Sequence, residues 1–167
     1  MVTDGSRIYF NELLPGPRNL VVQVPVKGGE ATSLSVPLAL PVVLDLSRDG
    51  TELLVADSAN EAGIQFQVGN GMFAIEGFEP QTLWVLPVAG GSPHRFGTIL
   101  ATDARFGPST TSIIYAIGHD ISSVSEDGSF SRKILSIDDN EGGGEARLLP
   151  SDFRPTGGFF DLLSLIP

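Results

Sequence analysis

The chain is punctuated by short apolar runs, each entered through a turn. Ile8-Tyr9-Phe10 follows Asp4-Gly5, and Leu53-Leu54-Val55 follows Asp49-Gly50. Ile113-Ile114-Tyr115 follows Ser109-Thr110, and Phe159-Phe160 follows Thr156-Gly157. Runs this short, bounded by turn residues, predict strands rather than helices. No segment longer than about ten residues repeats at i, i+3, i+4, i+7, so almost no helix is expected. The tail "FFDLLSLIP" is the one stretch where a helix stays open. "VVLDLS" (42–47) is mostly apolar, as a strand covered on both faces would be.

A second landmark alternates with the first. "VPVKGGE" (24–30) matches "LPVAGGS" (86–92) position by position, and "VSEDGS" (124–129) is a looser third copy. From Gly5 to Gly50 is 45 residues, from Gly50 to Thr110 60, and from Thr110 to Gly157 47. The long middle unit carries an insertion over 57–80. A period in the forties with four short strands per unit is the pattern of a propeller blade. Each unit then reads as an inner strand, the Asp-Gly turn, a second strand, a variable loop, a third strand, the Gly-Gly turn and a fourth strand.

In the second unit these strands are expected near 41–47, 51–57, 82–88 and 92–98. Asp4-Gly5, Gly28-Gly29, Asp49-Gly50, Gly90-Gly91 and Asp127-Gly128 are assigned as structural turns, supplying the positive φ of two-residue hairpins. Pro25 and Pro87 fall within strand-like runs and lack an N–H, so those positions should be exposed or lie towards a sheet edge. The expected fold is all-β: a partial β-propeller of about three to four antiparallel blades, incompletely closed. The expected divisions are a partial first blade over 1–40 without its inner strand, a second over 41–99, a third over 100–137, and a partial fourth over 145–167.

The stretches "LSRDGTELLVA", "LWVLPVAGGSPHRF", "RFGPSTTSIIYA" and "ISSVSEDGSFSRKI" resemble TolB-like propeller repeats, which are WD40-like. The resemblance spans nearly the whole chain and is most specific over 83–96. Arg48 stands where the repeat has proline, and Ser109-Thr110 stands for Asp-Gly. The resemblance implies a bacterial multidomain protein, similar to winged-helix regulators or sensor kinases whose C-terminal propeller is sensory. An accessory propeller gating a serine peptidase is the alternative. An incomplete ring exposes open sheet faces and edges, so a piece of a longer propeller, or a truncated reading frame, is expected. The rival is a small sheet protein that dimerises to cover its ends.

Composition trims the functional options. There are 20 acidic and 10 basic side chains, a net charge of -10. That field repels phosphate backbones and argues against nucleic acid as a partner. No cysteine is present, which excludes disulfides and thiolate chemistry. No apolar run reaches the roughly 20 residues of a membrane span. The expected partners are a protein or the remaining blades of a parent propeller. The compartment stays open, an extracytoplasmic location being what a membrane-anchored regulator would imply.

No cofactor and no catalytic constellation are expected. Asp4, Asp49 and Asp127 have two readings, a recurring cation site or turn acceptors. One carboxylate per turn falls far short of the roughly 6–8 oxygens calcium takes, which favours turn acceptors. "DDNEGGGE" (138–145) lacks EF-hand spacing and reads as a solvated connector. His94 and His119, with Ser92 and Asp120 nearby in sequence, come with no G-x-S-x-G elbow. "GGGE" and "GNG" (69–71) match no phosphate loop. Trp84 with Phe66, Phe73 and Phe78 is the weak candidate for a partner- or ligand-binding surface, on the inserted loop. Trp84 has core packing as its competing fate, and Asn70-Gly71 has a hairpin turn of its own.

Overall fold

The structure, a computed structural model, describes residues 1–15, 18–58, 79–109, 111–127 and 130–136. Every element among them is a strand. They form three four-stranded antiparallel sheets, each ordered as in the sequence. Blade 1 is β1 (Val2–Thr3), β2 (Arg7–Leu14), β3 (Arg18–Pro25) and β4 (Thr32–Leu34). Blade 2 is β5 (Pro41–Leu46), β6 (Glu52–Asp57), β7 (Gln81–Pro87) and β8 (His94–Ala101). Blade 3 is β9 (Asp103–Phe106), β10 (Ser112–Ile117), β11 (Asp120–Ser125) and β12 (Ser131–Ser136).

Blade 2 follows the expected order of strand, turn, strand, inserted loop, strand, turn, strand. Its fourth strand runs on to Ala101, two residues past the expected blade boundary. Blade 1 differs from expectation: its inner strand is present as the two residues Val2 and Thr3, paired with Tyr9 and Ile8. The expected fourth unit, 145–167, lies outside the described residues, as does 59–78 of the insertion.

One register recurs in all three blades. Ile8 pairs with Val24, Leu53 with Leu86 and Ile113 with Val124. Because side chains alternate across a strand, each blade has one face turned to the blade before it and one to the blade after. Leu53, Val55 and Leu86 face blade 1 and pack with Val2, Tyr9 and Val21. Leu54, Ala56 and Leu83 face blade 3 and pack with Ala104, Ile113 and Val124. Leu53, Leu54 and Val55 are each 0% exposed, so β6 is sealed on both sides. That explains its unbroken apolar run. The core therefore consists of layers between blades.

Both prolines close their strands. Pro25 pairs with Arg7 and Pro87 with Glu52, each the last residue of the third strand. The fourth strand stops short of them, at Gln23 in blade 1 and Val85 in blade 2. Each proline thus lies where no ladder partner needs an N–H, although the strand itself is interior.

Candidate functional site

Strand direction fixes what each end of the molecule carries. Turns joining first to second strands and third to fourth strands share one end. Loops joining second to third strands share the other. At the turn end stand Asp4-Gly5, Gly28-Gly29, Asp49-Gly50, Gly90-Gly91 and Asp127, with Gly128 outside the described residues. At the loop end the connections between second and third strands are 15–17, 58–80 and 118–119, beside the blade-to-blade links 35–40 and 102. Connections at the turn end run from three to six residues, whereas those between second and third strands run from two to 23.

The turn end is locked by local hydrogen bonds. Asp4 Oδ1 accepts from the Ser6 N–H (2.7 Å), the Ser6 hydroxyl (2.8 Å) and the Arg7 N–H (2.7 Å), and Oδ2 accepts from the Tyr9 hydroxyl (3.0 Å). Desolvation, the largest single influence on this carboxyl, raises its pKa, but the donors of Ser6, Arg7 and Tyr9 together outweigh it and hold the pKa at about 2. Asp49 accepts from the Ser47 and Thr51 hydroxyls at 2.7 and 2.8 Å, which lower its pKa. In blade 3 the Ser109 and Thr111 hydroxyls pair at 3.1 Å in the place of the Asp49–Thr51 pair. A serine thus does the work of the missing aspartate. The same clasp recurs in every blade: the Val26, Val88 and Glu126 N–H groups donate to the carbonyls of Ser6, Thr51 and Thr111 at 2.8–2.9 Å.

Two turn assignments are corrected. The Gly-Gly pair is not the centre of a two-residue hairpin. The Gly28 and Gly90 N–H groups close turns onto Pro25 and Pro87, whose central residues are Val26-Lys27 and Val88-Ala89. Both glycines then follow at positive φ, 89° and 139° in blade 1, 94° and 140° in blade 2. A Cβ on Gly29 or Gly91 would lie 3.4 or 3.5 Å from the proline ring. The proline and second glycine are therefore one packed unit, which is why they recur together. "VSEDGS" occupies the place of a Gly-Gly hairpin but is built differently. Ser125 Oγ donates to Asp127 at 2.7 Å and accepts from the Phe130 N–H at 2.9 Å. Ser47 does the same with Asp49 and Glu52, at the same distances.

The histidines are separated. His94 opens β8 at the turn end and pairs with Glu126 of blade 3 at 2.7 Å. His119 stands in the β10–β11 turn at the loop end, beside Asp120, which accepts from the Ser136 hydroxyl at 2.6 Å. Ser92 is at the turn end with His94 and Asp120 at the loop end with His119, so the fold places these two sequence-adjacent pairs at opposite ends. Among the described residues no three His, Asp or Glu side chains converge as metal ligands. Phe66, Phe73, Phe78, Gly69–Gly71 and Asp138–Glu145 lie outside the described residues. Trp84 is half-buried opposite Val55, its indole N–H donating to Thr82 Oγ1 at 3.3 Å.

No family model matches the chain, and no curated protein matches it. A solved structure described as "putative TolB from Agrobacterium tumefaciens" superposes with a TM-score of 0.57 at 16% identity. The match covers 80% of this chain and 44% of that one. The chain has a TolB-like propeller fold. At that identity the likeness speaks for the fold, and the sheets above are its blades.

Two polar residues hold the TolB-like blades in register, and neither stood out in the sequence. The Asn11 amide of blade 1 donates to the Pro41 carbonyl (2.8 Å) while its oxygen accepts from the Val43 N–H (2.8 Å). Asp45, 4% exposed, accepts from the Phe106 N–H across to blade 3 at 2.9 Å. Asp45 interrupts the apolar "VVLDLS", and that interruption is the one signal that pointed to it. The foot of the insertion is also fixed. Buried Ser58 donates to Gln81 Oε1 at 2.9 Å, and its N–H donates to the Leu40 carbonyl at 3.1 Å.

Proposed function

We propose that this chain is a non-catalytic propeller scaffold whose loop end recognises a protein or ligand, as the sensory or interaction part of a longer bacterial protein. The observation behind this reading is the asymmetry of the two ends. Every described turn at one end is closed by short hydrogen bonds, whereas the other end carries a connection of 23 residues, 58–80, beside connections of three and two. Recognition in such scaffolds concentrates on loops held by rigid strands. Ser58 and Gln81 supply the rigid foot. The separation of His94 from His119 supports a role without catalysis.

The test replaces residues 59–78 by a short Gly-Ser linker. The variant is expected to keep its β-sheet circular-dichroism signal and its melting temperature within a few degrees. Cross-linking mass spectrometry in a bacterial extract should then show contacts through 59–78 that the variant loses. Hydrolysis of ester or peptide substrates by the purified chain, abolished by His94→Ala or His119→Ala, would refute the non-catalytic reading.

A further inference from the structure

The two junctions between blades follow one plan and differ at one place. Tyr9 and Leu86 share a core layer, so by strand alternation Leu13 of β2 faces blade 2, and Thr82 and Trp84 of β7 face blade 1. Arg95 and Leu100 of β8, the ladder partners of Trp84 and Thr82, face blade 1 with them. At the junction of blades 2 and 3 the places of Leu13 and Trp84 are taken by Ser58 and Ser122, 1% and 8% exposed. Small side chains are sealed in there. At the junction of blades 1 and 2, Val36 and Leu38 pack against the core layer, yet Leu13 remains 60% exposed and Leu100 45%, and Trp84 is half-buried. Blade 1 lacks an outer wall beside them. β4 pairs only with Val21–Gln23, so among the described residues Arg18–Leu20 have no strand outside them. Leu13 pairs with Asn19 in that uncovered half.

Charge narrows the occupant. Arg95 lies across the ladder from Trp84 and is exposed and unpaired among the described residues. The other charged side chains that face this junction along the strands are engaged. Asp57 accepts from the Leu40 N–H at 3.2 Å, and Arg7 donates to Gln23 Oε1 at 3.3 Å. We propose that the loop-end half of this junction is a docking site for an extended segment of a partner protein, apolar towards Leu13, Trp84 and Leu100 and bearing a carboxylate for Arg95. The open edge of Arg18–Leu20 offers backbone N–H and carbonyl groups to such a segment, the mode in which a peptide adds a strand to a sheet. Tryptophan and arginine are the side chains that most often dominate the energetics of protein contacts. The site uses none of residues 59–78, so it stands apart from the recognition role of the insertion.

Trp84 is the only tryptophan in the chain, so its fluorescence reports on the site directly. The full chain is titrated with two acetylated hexapeptides, one alternating leucine with aspartate and the other leucine with lysine. The leucine–aspartate peptide should give a saturable change in Trp84 emission below millimolar concentration. The leucine–lysine peptide should bind about ten-fold more weakly, the loss of one charge-assisted contact. Arg95→Glu should reverse that preference, and Leu100→Glu should weaken the leucine–aspartate peptide. Should Leu100→Glu lose its β-sheet circular-dichroism signal, Leu100→Ser carries the same comparison. Replacing 59–78 by the Gly-Ser linker should leave peptide binding unchanged, which separates this site from the insertion. No saturable change, equal binding of the two peptides, or an Arg95→Glu variant that keeps the original preference would overturn the proposal. Loss of binding in the linker variant would place the peptide on the insertion and overturn it as well.

Discussion

Gly50 sits at φ 73°, and a Cβ placed on it would meet Asp4 Cβ of the neighbouring blade at 3.2 Å. Gly5 has a similar φ of 86° with nothing within 4 Å. Left-handed backbone costs a residue with a Cβ about 1–2 kcal/mol. Gly5→Ala should therefore lose about that much stability in urea melts, and Gly50→Ala more, since a contact is added to the strain. Acid offers a second test. Asp4 ionises at about 2 in the fold against an ordinary 3.8. The folded state therefore binds its proton less readily than the unfolded chain, and this stabilisation is complete above the ordinary value and lost as pH falls towards 2. Thermal melts between pH 4 and 2 should show a falling Tm, with a shallower fall in Asp4→Asn. The turn role of Asp4 and Asp49 was legible in the sequence, because the partners of such aspartates lie two or three residues away. Asn11 and Asp45 were not, since their partners lie 30, 32 and 61 residues off and only the stacking of blades brings them together.

At the scale of elements, the strands of blade 2 were readable to within one to three residues because β-turn chemistry marks their ends. The hairpins were read less well. Gly-Gly suggested a two-residue turn, but the preceding proline draws the turn back by two positions. The backbone predicts that Gly91→Ala destabilises more than Gly90→Ala, since its φ of 140° lies farther than 94° from the left-handed well near 57° that a residue with a Cβ can reach; differential scanning calorimetry would rank them. Junctions between blades should be the most sensitive places. Leu54→Ala removes a side chain sealed between blades 2 and 3, and should cost about 2–5 kcal/mol in chemical denaturation. Asn11→Leu leaves the Val43 N–H and the Pro41 carbonyl without their partner. A loss of about 1–3 kcal/mol is expected, with faster hydrogen exchange at Val43.

For the whole molecule, the repeat spacing announced a propeller because each blade must return its chain to the same place. The number of blades that complete the ring was not written in the spacing. That depends on which apolar faces find a partner, and periodicity is blind to it. The Ser58–Gln81 bond sets a boundary of its own. Between these two residues the polypeptide can be lengthened, shortened or exchanged, while the strands on either side continue to feel the same knot. Under the proposed recognition role, specificity at that end can accordingly drift without the framework being rebuilt, and a binding loop designed for another purpose could be spliced in between the same two residues.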